Sequence, residues 1–123
     1  MPRGPAIPLE IQAEVQKLVE EFNRRNFSKA SPLSKLIPGI NLKNGFSARF
    51  KGKFLYLDRI ERGRPSPICR LTWTGAMDKW EFAIYKYSDN HYDPEEWFFP
   101  GADKVDGTVS GAMAAGMAAY PIY

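Results

Sequence analysis

Two chemically versatile residue types are almost absent: the 123-residue chain holds one cysteine, Cys69, and one histidine, His91. A lone cysteine excludes an internal disulfide and fits a reducing compartment, so a cytoplasmic location is expected. One Cys with one His excludes a Cys/His zinc site. No apolar run approaches the roughly 18 residues of a membrane span, and residues 1–8 lack the apolar stretch of a secretory signal. Neither G-x-x-x-x-G-K-[ST] nor G-x-G-x-x-G occurs, so no phosphate cradle is encoded. No cofactor, metal or nucleotide, is expected, and no catalytic constellation is visible. His91 lies beside Ser88, Asp89 and Asp93, but a triad is defined by geometry and not by closeness in sequence. Asp89, Asn90, Asp93, Glu95 and Glu96 lack the spacing of an EF-hand loop. They read as an acidic turn over residues 88–96, with Glu95 and Glu96 as solvated surface.

What the chain does hold is aromatic residues (14%) within a 44% hydrophobic composition, enough for one domain with a real core. The centre of the pattern is residues 70–87. Arg70 to Thr74 and Lys79 to Tyr87 are rich in Trp, Tyr, Phe, Ile and Thr, joined by a loop carrying Gly75 and Asp78. Alternation puts Leu71 and Trp73, then Trp80, Phe82 and Ile84, on one face. Arg70, Thr72, Tyr85 and Tyr87 fall on the other.

Ahead of this hairpin, residues 1–8 contain three prolines and read as a flexible arm. Residues 9–27 read as an amphipathic helix: Ile11, Val15, Leu18, Val19 and Phe22 share a face. Residues 28–45 form a connection in which Leu33, Leu36 and Ile37 make a short turn, lying beneath the helix or at the sheet edge. A sheet spans residues 46–87. Phe46, Ala48 and Phe50 alternate in its first strand; Leu55 and Leu57 face one way in the second, Phe54, Tyr56, Asp58 and Ile60 the other. Residues 62–67 read as a loop, because Pro65 and Pro67 cannot donate to a ladder. Short connections favour an antiparallel meander over parallel strands. Trp97, Phe98 and Phe99 are expected to latch back onto the fold.

Residues 106–120 read as a Gly/Ala-rich helix, capped by Asp106 or Thr108 and stopped by Pro121. Gly111 and Gly116 each cost about 1 kcal/mol relative to Ala, which implies a close backbone approach. The expected fold is therefore α+β: an N-terminal helix, a four-stranded antiparallel meander and a C-terminal helix, both helices on one face, in a single domain over residues 1–123.

Charge is unevenly placed. Residues 1–75 carry a net +8 and residues 76–123 a net −5, within an overall +3. A basic half with aromatic interleaving points to a polyanion partner or to internal pairing. On the face away from the helices, Arg49, Tyr56, Arg70, Tyr85 and Tyr87, with Arg62 and Arg64 in the neighbouring loop, form a candidate platform for single-stranded nucleic acid. The alternative is a non-catalytic module for another protein or for a second copy of this chain. No membrane partner is expected.

The runs Arg70-Leu-Thr-Trp-Thr-Gly75, Trp80-Glu-Phe-Ala-Ile-Tyr-Lys-Tyr-Ser88, Tyr92-Asp-Pro-Glu-Glu-Trp-Phe-Phe-Pro-Gly101 and Asp106-Gly-Thr-Val109, with Ala118-Ala-Tyr-Pro121, resemble a family of small bacterial proteins without an established activity. The resemblance covers residues 46–121. It implies a free-standing bacterial cytosolic protein and assigns no residue a role.

Overall fold

The computed structural model describes residues 6–27, 45–61, 63–96 and 99–120. Helix α1 is Leu9–Asn26 and helix α2 is Val109–Ala119. Between them lie β1 Gly45–Lys51, β2 Phe54–Glu61, β3 Arg64–Thr72, β4 Glu81–Lys86 and β5 His91–Asp93, then one 3-10 turn, Ala102–Lys104. The five strands form an antiparallel sheet in simple sequence order. The fold is α+β as the sequence implies, with five strands where four were expected.

α1 follows its apolar spacing: Val15 and Val19 are buried, with Ile11, Leu18 and Phe22 packed against the same core. Its tie to the sheet is specific. The Asn23 side chain donates to the Phe46 carbonyl (2.9 Å) and accepts from the Phe46 N–H (2.8 Å). Gly45, at φ 145°, leaves room for it, since a Cβ there would lie 2.8 Å from the Asn23 amide. The flexible arm expected over residues 1–8 does not extend to Ile7. Ile7 is buried, and its N–H donates to the Gly52 carbonyl at 3.0 Å.

The inner face of the sheet carries Phe46, Leu55, Leu57, Cys69, Leu71, Phe82 and Ile84, buried beneath the helices with Trp73 and Trp80. The two indoles lie 4.9 Å apart. A β-bulge sets the register of the second half of the β2–β3 pair: Leu57 opposes Cys69 and Asp58 opposes Pro67, leaving Ile68 as the extra residue. Ile68 is thereby buried against α2. Gly116 answers it, because a Cβ at that position would sit 2.5 Å from Ile68 Cγ2. Gly111 is tight for a different reason: its Cβ would meet the Asp106 carboxylate and the Lys104 carbonyl. Thr108 is the N-cap of α2, accepting from Gly111 N–H at 3.0 Å, and Asp106 accepts from the Thr108 N–H and hydroxyl.

Residues 64–67 belong to β3 and not to a loop. Pro65 and Pro67 pair with Ile60 and Asp58, whereas β3–β4 pairing begins only at Cys69. The prolines' nitrogens face the side that has no neighbouring strand among the described residues, so no ladder bond is lost. The Tyr87 hydroxyl donates to the Pro67 carbonyl on that side (2.7 Å). Of the aromatic run after β5, Phe99 stacks on Phe82 with ring centroids 5.8 Å apart. Trp97, Phe98 and the turn expected around Leu33, Leu36 and Ile37 lie outside the described residues.

Candidate nucleic-acid interface

Both helices lie on the inner face, and the outer face is built by cross-strand register. Arg49 opposes Tyr56, Tyr56 opposes Arg70, and Arg70 opposes Ala83, a row across four strands. Tyr85 opposes Tyr92 beside it. Ala83 contributes only a methyl group, is buried, and lets Arg70 reach toward Tyr92 above it.

The Arg49 guanidinium carbon lies 4.6 Å from the Tyr56 ring centroid. Its Nε donates to Asp58 Oδ2 at 3.1 Å, and Nη2 reaches Oδ1 at 3.5 Å. Asp58 is almost enclosed, with 10% of its side chain exposed against 57% for Arg49. This hydrogen bond is the main cause that raises the Arg49 pKa. The Arg70 guanidinium carbon lies 4.8 Å from the Phe54 centroid and 5.6 Å from that of Tyr92. Lys53 reaches the Phe54 ring at 5.5 Å. Among the described residues Arg70 forms no ion pair and its buried Nε has no hydrogen-bond partner.

The tyrosines touch edge to face: Tyr56 and Tyr92 at 5.4 Å, Tyr92 and Tyr85 at 4.9 Å, Tyr85 and Tyr87 at 4.9 Å. Burial, with Asp58 adding to it and Arg49 opposing, pushes the Tyr92 phenol up to about 12. The phenol stays neutral across the physiological range.

The acidic segment is held on the other side. Asp93 opposes Ile84 and His91 opposes Lys86, so their side chains share the inner face. There Lys86 lies 3.7 Å from Asp89, 3.8 Å from Asp93 and 3.3 Å from Glu96. Glu96, expected as free surface, is thus an ion-pair partner. The sequestration leaves the outer face with Arg49, Lys51 and Arg70 against Asp58 and Glu81 at the paired positions.

Of the residues singled out from sequence, Arg49, Tyr56, Arg70 and Tyr85 converge in one cluster. Tyr87 stands at its rim, 46% exposed, between Tyr85 and Tyr120. Arg64 does not join them: it pairs with Glu61 at the far end of the β2–β3 hairpin, about 20 Å along β3 from Arg70. Arg62 lies outside the described residues. Tyr92 escaped sequence reasoning because its strand is three residues long. Phe54 and Asp58 share the alternation of Tyr56 and were legible as neighbours, though not as parts of the site.

Among the described residues no group of three His, Cys, Asp or Glu is placed to hold a metal, and no helix is long and apolar enough to cross a membrane. No protein-family model, curated protein or solved structure matches the chain.

Proposed function

We propose that the outer sheet face binds single-stranded nucleic acid, with no catalytic step. The observation that carries this reading is Arg70, lying against the Phe54 and Tyr92 rings in the middle of a cross-strand row, with no carboxylate paired to it among the described residues. Lys51, Lys53 and Arg49 extend the positive charge, while Lys86 keeps three carboxylates on the opposite face. A phosphate backbone supplies the missing counter-charge, and its splayed bases supply planar surfaces for the aromatic and guanidinium groups. A sheet face of this kind suits unstacked bases, because bases inside a duplex present no open ring face.

The test is titration of a fluorescent single-stranded oligonucleotide at two salt concentrations, with light scattering in parallel. Binding should fall steeply with salt, and Arg70→Ala should weaken it while reducing the salt slope by roughly one. Tyr85→Ala should cost about 1–3 kcal/mol of binding through lost stacking. Substituting Gln for Glu95 should change little. Absence of binding at low salt together with a clear dimer would assign the face to self-association instead.

A further inference from the structure

The aromatic residues of the outer face do not form a flat stack. Tyr56 meets Tyr92 at 61° and Tyr85 meets Tyr92 at 71°, so the edge of one ring closes on the face of the next. Over this layer lie two guanidinium groups. Arg49 covers Tyr56 from 4.6 Å, and Arg70 lies against Phe54 and Tyr92. The two hydrogen bonds from Arg49 to Asp58 fix the plane of its guanidinium as well as its charge, and its side chain remains 57% exposed. Arg70 has its Nε buried with no hydrogen-bond partner among the described residues, so the two rings are the contacts shown for its guanidinium there.

We infer that bases are received on the Arg49 and Arg70 guanidinium planes, each backed by an aromatic ring, and not directly on Tyr56 or Tyr92. This rests on the nucleic-acid reading and makes it more specific. A guanidinium is planar, delocalised and weakly hydrated, so it stacks on both faces at once: an aromatic ring beneath and a base above. A lysine ammonium carries the same charge without a plane. Asp58 is then a positioning residue, because it sets the angle at which Arg49 presents that plane.

The experiment measures the affinity of the full chain for a fluorescent oligothymidylate and for inorganic polyphosphate of matched charge. Wild type is compared with Arg49→Lys, Arg70→Lys and Asp58→Asn, and each variant is melted to verify folding. The wild type should prefer the oligonucleotide. Each lysine variant should lose roughly tenfold in oligonucleotide affinity, within the range of one stacking interaction, and keep its polyphosphate affinity. Asp58→Asn removes a negative charge, so electrostatics alone would tighten oligonucleotide binding; loosened Arg49 should weaken it. Lysine variants that bind the oligonucleotide like wild type, or a wild type that holds both polyanions equally, overturn the inference. A wild type that binds neither polyanion at low salt removes the nucleic-acid reading itself.

Discussion

Replacing Gly116 by alanine sets two effects of opposite sign against each other. By helix propensity alone the change is stabilising, by about 1 kcal/mol, since Gly is the poorer residue in a helix interior. The packing says otherwise. The new methyl would lie 2.5 Å from Ile68 Cγ2, against 3.4 Å for ordinary contact, so about 0.9 Å must be recovered. Ile68 is 1% exposed and branched at Cβ, and the Phe46 ring closes the same space at 3.5 Å. Neither neighbour is the free end of a flexible chain. Overpacking of this kind costs about 1–3 kcal/mol, so the net effect is a loss of up to about 2 kcal/mol. Ser110→Ala, exposed on the same helix, is the control that gains propensity without a clash. Melting curves read the difference, at about 3–5 °C per kcal/mol for a chain of this size. In addition, Gly116→Ala combined with Ile68→Ala should cost less than the two changes summed. A Gly116→Ala protein melting above wild type would show that α2 does not pack on the bulge.

Two further outcomes follow from the core and the outer face. Trp80→Ala removes a side chain 4% exposed and packed on Trp73, so urea denaturation should report a loss of about 3–5 kcal/mol; a midpoint that hardly moves contradicts the core assignment. The Tyr92 phenol titrates near 12 in the folded chain against 10 ordinarily, chiefly through burial. The folded state therefore holds that proton more tightly. Its contribution is complete below pH 10 and is lost as pH rises through about 12. Stability measured across this window should fall less steeply for Tyr92→Phe than for wild type, with Tyr87 and Tyr120, also raised by burial, carrying a residual slope. Identical slopes would place Tyr92 in water.

The elements legible in the sequence were those long enough to show a period. α1 declared itself through Ile11, Val15, Leu18, Val19 and Phe22, and the inner face through Leu55, Leu57, Leu71 and Phe82. β5 spans only His91–Asp93, too short for alternation, and its turn-forming neighbours mask it. The β3 prolines argue against a strand until it is known that half of that strand has no neighbour on one side among the described residues. Arg59 falls on the inner face by alternation and is 3% exposed. It is stabilised there by Glu61, two residues on, at 2.7 Å. Such burial is invisible in sequence because it depends on the partner's geometry. For the site, the Arg/Tyr alternation found four members, whereas Tyr92 and the Asp58 anchor required the register.

The first half of β3 also bears on how the folded chain behaves when crowded. A sheet edge recruits foreign strands through its outward N–H groups, the route by which many β proteins aggregate. Along residues 64–67 the outward-facing positions are Pro65 and Pro67, which have no N–H to offer. The carbonyl of Pro67 is already occupied by the Tyr87 hydroxyl. An incoming strand therefore finds no donor ladder to extend at this edge, although no strand covers it among the described residues. Tyr87 guards the edge with its hydroxyl and flanks the proposed interface with its ring, so replacing it by phenylalanine would expose a backbone acceptor while leaving the aromatic surface in place.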